Sequence, residues 1–363
     1  KRGRWSFANL PVLPPHFDLQ PIKKSIKKFE GLEKKIRSRS VTDIINACDA
    51  GREGELIFRY IIQATGTKKP IRRLWLQSMT KASIQKAFTA LRSDAEMKPL
   101  EAAARSRSEA DWLVGINGTR ALTAFNSKDG GFFLTTVGRV QTPTLAIVVA
   151  REEEITHFKP QNYWEVHATF GAQAGDYDSV WVDADFKKTK GQSAELKPER
   201  LWTAAEAQAI VAKCQGKLGI VTDHKRRATS APPALFDLTS LQREANGRFG
   251  FPAKMTLAIL QRLYERHKVL TYPRTDSRAL PEDYPETMKE TLSHLQKLEA
   301  YNAFAGQILM SGWVKGDNRR IFDNKKISDH FAIVPTGELP KDLEETEQKI
   351  YDLVVRRTMA AFF

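Results

Sequence analysis

The chain is poor in cysteine. Cys48 and Cys214 are the only two among 363 residues, so neither a disulfide framework nor a four-cysteine zinc site can be built from it. A reducing cytoplasm is the expected setting. No apolar run approaches the ~20 residues that a membrane-spanning helix needs, and the basic start Lys1-Arg2-Gly3-Arg4 has no apolar stretch behind it, unlike a secretory leader. A Gly-x-x-x-x-Gly-Lys-Ser/Thr loop is missing, which argues against ATP-driven chemistry in this segment, and without His-Glu-x-x-His a zinc hydrolase has no anchor. Disorder is not expected either. A hydrophobic content of 41% supplies globular cores, and 363 residues exceed one usual core, which points to two to four domains.

Positive charge is what the chain has in excess. Its 57 Lys and Arg stand against 43 Asp and Glu, a net charge of +14. That balance favours polyanionic partners and salt-sensitive binding, without naming one.

The most informative stretch is Leu270-Thr271-Tyr272-Pro273-Arg274-Thr275-Asp276-Ser277-Arg278. A tyrosine hydroxyl with an ordinary pKa near ~10 is a weak nucleophile at neutral pH, so covalent use of it needs help with the developing charge. Arg274 is permanently cationic and forks onto two phosphate oxygens at once, which suits both a phosphodiester and a phosphotyrosine. Pro273 fixes its own φ and biases Tyr272 toward extended backbone, so the pair is expected on a stiff loop and not on a helix.

A second chemical centre lies at Asn46-Ala47-Cys48-Asp49-Ala50-Gly51-Arg52-Glu53-Gly54-Glu55-Leu56-Ile57. An apolar run over 41–48 precedes it and an apolar helical pattern follows, so it reads as strand, tight loop, helix. The loop would carry Asp49 and Glu53 at the carboxyl end of the strand, where open α/β sheets place their ligands. Two carboxylates so spaced can share one Mg²⁺, a hard cation that prefers oxygen and keeps several waters. A helix start favours acidic residues in any case, so the pattern alone leaves both readings open. Further on, residues 100–126 read as a long helix with Arg107 and Asp111 on one face, where a surface ion pair is the plain alternative to nucleic-acid contact. Residues 161–230 alternate like strands, with Trp164 and Trp181 expected to pack into a core. Residues 232–268 return to helix, and the stretch after Glu344 starts another, with Ile350, Leu353 and Val354 on its apolar face. His330 follows Asp329 and is the remaining chemical candidate.

Taken together, the tyrosine segment, the acidic segment, Thr136-Val137-Gly138-Arg139-Val140-Gln141-Thr142-Pro143-Thr144-Leu145, Phe251-Pro252-Ala253-Lys254-Met255-Thr256 and Ser328-Asp329-His330-Phe331-Ala332-Ile333-Val334-Pro335-Thr336 resemble, in order, the motifs of the type IA DNA topoisomerases. The resemblance covers residues 46–336 and is closest in form to the bacterial topoisomerase III branch. It implies a multidomain α/β plus α toroidal fold: a partial Toprim domain at 1–98, a helical single-strand groove at 99–160, a β-rich arch segment at 161–232, a helical domain carrying the tyrosine at 233–338, and the start of a return segment at 339–363. It also implies ATP-independent, Mg²⁺-dependent cleavage of single-stranded DNA through a 5′-phosphotyrosine, strand passage and religation.

In that scheme Tyr272, Arg274, Glu53 and His330 are catalytic, and Asp49 and Glu53 hold metal. Arg107, Asp111, Arg139, Gln141, Lys254, Thr275, Asp276 and Ser277 contact DNA. Single-stranded and underwound duplex DNA would be the substrates of a monomer in a nucleoid- or plasmid-associated cytoplasmic setting, with a helicase as a partner.

One departure stands out, since many relatives have a second Asp where this chain has Gly51, which weakens the acidic set. The resemblance further implies that a first strand carrying a Glu, with a nearby Lys, and the returning domains lie outside this segment. A Toprim-type nuclease and a DNA-binding fragment without catalysis are the competing readings. The first would not require Tyr272-Pro273-Arg274, and the second would not require five ordered motifs.

Overall fold

In the computed structural model, which describes residues 5–189 and 195–363, the basic start Lys1–Arg4 lies outside the described residues. Helix α1 (Ile26–Arg37) precedes a short strand, β1 (Ile44–Asn46), and the acidic segment then turns into helix α2 (Arg52–Thr65). The helix stops at Gly66, whose φ of 63° is the left-handed cap that glycine adopts without strain. Strand β2 (Ile71–Arg73) returns parallel to β1, with Ile44 beside Ile71, so strand, helix and strand form the crossover unit expected from the sequence. Helix α3 (Lys81–Thr89) and strand β3 (Arg92–Ser93) follow, β3 closing the sheet antiparallel to β2 in the order β1-β2-β3. Ser93 then caps the long helix α4 (Asp94–Asn126) through a reciprocal bond with Glu96.

This α/β part is tied by buried charge. Glu55 is fully buried on α2 and accepts from Asn46 Nδ2 at 3.0 Å and from Arg59 Nε at 2.7 Å. Arg59 reaches on to Asp94 at 2.6 Å, which fastens α2 to the start of α4. Arg73, 1% exposed at the end of β2, also faces Glu55 at 3.4 Å. Such a network is weak evidence of net stabilisation, but removing Glu55 would leave the buried Arg73 without a counter-charge.

The chain divides into two compact units, residues 1–139 with 230–363, and residues 140–229. The second unit holds helix α5 (Gln141–Thr156), the hairpin of β4 (His167–Ala172) and β5 (Gly175–Val180), and helix α6 (Ala204–Cys214). The expectation that Trp164 and Trp181 pack into a core is corrected here. Trp164 is exposed and Trp181 only half-buried, and both lie just outside the two strands of the hairpin. Trp164 makes only an isolated bridge to Leu201.

Residues 230–363 return to the first unit as a helical body: α7 (Leu238–Phe249), α8 (Ala253–Glu265), α9 (Pro285–Leu295), α10 (Glu299–Met310) and α11 (Glu345–Ala360). Leu241, Leu260 and Leu263 from α7 and α8, Met288 and Leu292 from α9, Ile308 from α10 and Ile350 and Val354 from α11 are completely buried in one cluster. Each such side chain contributes roughly 1.5–3 kcal/mol through removal from water. Helix α11 packs into this same cluster and pairs its buried Glu347 with Arg262 of α8 at 2.6 Å.

Candidate active site

The tyrosine segment is extended, and its burial alternates with period two. Thr271, Pro273, Thr275, Ser277 and Ala279 are buried, whereas Tyr272 is half-buried and Arg274, Asp276 and Arg278 are exposed. That is the backbone Pro273 demands. The inward hydroxyls lace this segment to the loop bearing His330. Thr271 Oγ1 donates to the Ala332 carbonyl at 3.0 Å and accepts from Val334 N at 3.0 Å, Thr271 N donates to the Val334 carbonyl, and Thr275 Oγ1 donates to the His330 carbonyl at 2.9 Å. Ser277 Oγ accepts from Ala279 N at 3.2 Å.

Thr275 and Ser277 are therefore corrected from DNA-contact candidates. Their hydroxyls face inward and their bonds are made within the chain. Outward-facing Asp276 accepts from Ser328 at 2.9 Å, and Arg278 is held by Asp237 at 2.8 Å. Arg274 is exposed and has no ion-pair partner among the described residues.

The lacing sets the His330 ring against the Tyr272 ring, centroids 4.3 Å apart, while Tyr264 closes the other side edge-on at 5.4 Å. His330 Nε2 lies 3.7 Å from an Asp49 carboxylate oxygen, so the tyrosine, histidine and acidic motifs meet at one place. Burial pushes the Tyr272 phenol above its ordinary value, and the nearby Asp49, Tyr264 and Glu53 add to that; Arg274 opposes the shift without cancelling it. At rest the hydroxyl keeps its proton.

The acidic loop is held from beneath by a cation. Arg73 donates from Nη1 to the carbonyls of Asn46 at 3.0 Å and Cys48 at 2.6 Å, and from Nη2 to that of Asp49 at 2.5 Å. The loop then folds back so tightly that a Cβ at Gly54 would lie 2.2 Å from the Asp49 carbonyl oxygen, which only glycine permits. Arg73 carried no signal in the sequence, since an arginine at the end of a short strand normally faces water.

A cleft of about 650 Å³ opens beside this loop, lined by Arg52, Glu53 and Trp75, by Arg107 and Asp111 of α4, by Arg139, and by Asp276, Ser328 and Asp329. Arg107, Asp111, Arg139, Asp276 and Glu53 are thus brought together. Asp111 pairs with Arg139 at 3.0 Å and not with Arg107. Arg139 is brought to α4 by the preceding residues: Val137 N donates to Thr119 Oγ1 and Thr135 N to Thr123 Oγ1, both at 3.0 Å. Lys254 is exposed in the first turn of α8, and Gln141 opens α5 in the second unit. Asp329 was passed over in the sequence. Burial raises its pKa, the neighbouring Asp276 and Asp49 raise it further, and His330 and Arg52 pull the other way.

Among the described residues no three His, Cys, Asp or Glu side chains converge closely enough to cage an ion. The donors that border the cleft are nonetheless hard carboxylate oxygens, Glu53, Asp276 and Asp329, with Asp49 beside His330. Sparse carboxylate ligation suits a cation that keeps several waters and shares itself with phosphate oxygens, as magnesium does. Among the described residues no helix is long and apolar enough to cross a membrane.

A half-buried tyrosine beside a histidine, an exposed arginine with no ion-pair partner among the described residues, and a carboxylate loop are groups that can serve phosphoryl transfer. Comparison with known proteins gives the same class. A family model described as "DNA topoisomerase" matches residues 95–363. DNA topoisomerase 3 of Bacillus licheniformis is 41% identical over 360 residues, 98% of this chain and 46% of that protein. DNA topoisomerase 3 of Bacillus subtilis is 40% identical over the same shares. The full-length topoisomerase I of Thermotoga maritima matches in fold with a TM-score of 0.55 at 23% identity, covering 94% of this chain and 51% of that one. The chain belongs to the type IA DNA topoisomerase family. It spans about half the length of the curated relatives it matches.

Proposed function

We propose that this chain carries the cleavage and rejoining centre of an ATP-independent DNA topoisomerase acting on single-stranded and underwound DNA. The Tyr272 oxygen attacks a backbone phosphorus. The new O–P bond forms as the bond to the 3′ oxygen breaks, the phenolic proton leaves, and the 3′ oxygen takes up a proton. The 5′-phosphotyrosine conserves the bond energy, so the returning 3′-hydroxyl reseals the strand without ATP. The observation that carries this reading is the contact of three distant motifs at one point: Tyr272 against His330, and His330 beside Asp49.

Arg274 has no ion-pair partner among the described residues and can fork onto the phosphate as charge builds there, and His330 supplies a second donor. Glu53 is read as helping to move the proton. Asp49 and Glu53 would hold Mg²⁺, which when bound stabilises phosphate charge. Arg107, Arg139, Asp276 and Lys254 offer the groove for the strand, and Gln141 an amide contact. Residues 1–98, 99–160, 161–232 and 233–338 are read as the Toprim part, groove, arch segment and tyrosine domain, with 339–363 as the start of the return segment. A monomer working with a helicase in a nucleoid- or plasmid-associated setting completes the proposal.

The test uses a single-stranded oligonucleotide labelled at one end. A 3′ label is expected to become covalently attached to the protein and a 5′ label is not. Tyr272→Phe should abolish the attachment while strand binding stays within a few-fold, since one hydroxyl and no charge is lost. Transfer of the 5′ label, or attachment that survives the substitution, would sink the proposal.

A further inference from the structure

Position 51 carries no side chain, and the backbone does not explain why. Gly51 has φ −162° and ψ −178°, extended geometry open to any residue. What excludes a side chain is a neighbour from far along the sequence. A Cβ on Gly51 would lie 2.3 Å from each oxygen of the Asp329 carboxylate and 2.4 Å from its carbon. That carboxylate thus stands over the acidic loop in the space a residue-51 side chain would fill.

The placement is supported from both sides. On the loop side, Gly51 N donates to the Asp49 carbonyl at 2.8 Å, and Arg73 grips the same carbonyl from below. On the histidine side, Ser328 donates to Asp276, Thr275 holds the His330 carbonyl, and Gln77 Nε2 donates to the Ser328 carbonyl at 3.0 Å. Both residues flanking Asp329 are therefore anchored, and the two motifs interlock at this point.

We propose that Asp329 supplies, from the histidine loop, the acidic group that position 51 lacks, and completes with Asp49 and Glu53 the carboxylate face that positions a divalent cation. The inference rests on the proposed metal-assisted chemistry but concerns a residue outside the acidic motif. Positions 51 and 329 then form an exchangeable pair, one carboxylate shared between two backbone sites. Two carboxylates at once would compete for one volume and repel; none would leave the face short of a ligand.

The test is cation binding by this chain, with Mn²⁺ as the probe followed by titration calorimetry, alongside thermal unfolding. Asp329→Asn keeps the shape and removes the charge, and is expected to weaken Mn²⁺ binding about tenfold or more. Asp329→Ala should do the same. Gly51→Asp alone should lower the unfolding temperature, while Gly51→Asp combined with Asp329→Ala should return Mn²⁺ affinity to within about twofold of the parent.

Parent-like binding by Asp329→Asn would overturn the inference, and so would a double variant no better than Asp329→Ala, or a parent chain that binds no Mn²⁺. If the exchange restores binding but the parent never captures 3′-labelled DNA, the inference stands and the functional proposal fails.

Discussion

The two walls of the site are built by opposite means. The wall bearing Asp49 and Glu53 is a three-stranded sheet and two helices joined through Glu55, Arg59 and Arg73, ions with at most 5% of their surface exposed. The wall bearing Tyr272 and His330 rests on an apolar cluster of five helices and on hydrogen bonds between two extended segments. Apolar packing tolerates small changes of volume, whereas an ion network depends on every member. The carboxylate wall is therefore the brittle one, and its brittleness is concentrated at a few named atoms.

The largest effect should come from breaking that network. Glu55→Ala leaves the buried Arg73 without a counter-charge and takes one of three carboxylates from Arg59; it is expected to cost about 3–5 kcal/mol, with loss of cation binding, while the tyrosine wall keeps its protection in hydrogen exchange. Uniform loss of protection across both walls would show that they do not differ as argued.

Alkali should sharpen the contrast from the other side. Burial pushes the Tyr284 phenol up to about 12 and raises those of Tyr301 and Tyr351 as well, all within the helical body. Unfolded phenols ionise near ~10, so above that the unfolded chain gives up protons that the folded body retains. Stability supplied by Tyr284, roughly 2–3 kcal/mol, is thus full below about pH 10 and lost as pH rises toward 12. Chemical denaturation from pH 8 to 12 checks this, and a flat profile would contradict it.

A smaller effect is expected where the walls touch. Asp283 accepts from Ser78 at 3.1 Å, Thr80 at 2.5 Å and Ser83 at 2.6 Å, joining the start of α3 to the helical body. Burial alone would raise its pKa, but the bonds from Ser83, Thr80 and Ser78 hold it below the usual carboxylate range. Its contribution is present above that range and is lost as pH falls through the lowered value. Asp283→Asn should cost about 1 kcal/mol, because the group is partly exposed, and should flatten the acid limb of the stability profile. The smallest effect on stability belongs to Arg274→Lys, expected within ±0.5 kcal/mol for an exposed side chain. Cleavage should nevertheless fall, because the two-pronged phosphate contact is gone. Unchanged cleavage would make Arg274 an ordinary surface residue.

Much of this arrangement was legible in the sequence, for identifiable reasons. The crossover β1-α2-β2 follows from an apolar run, a glycine-bounded acidic loop and a helical apolar pattern, all local signals. Helices α8 and α11 announced themselves by spacing, and Tyr272 by its proline and arginine. The inward turn of Thr275 and Ser277 was also within reach, since an extended segment alternates its faces and Tyr272, Arg274 and Asp276 already claimed the outer one. Arg73 beneath the loop and Asp329 above Gly51 were not legible. Each depends on chain segments brought together only by the fold, and no periodicity records which carboxylate ends up over which glycine. Trp164 and Trp181 misled because aromatic residues in an alternating pattern suggest inward-facing strand positions, whereas both fall just outside the paired strands.

The lacing of residues 271–279 to 330–334 has one more consequence. The Tyr272 hydroxyl and the imidazole beside it are carried by segments that backbone and threonine bonds fix to one another. The carboxylates of Asp49 and Glu53 ride on a different part, met through His330 and Asp329. On the proposed chemistry this layout would act as a safety interlock: a strand attached to Tyr272 would meet the carboxylates that help reseal it only while the two segments are in contact.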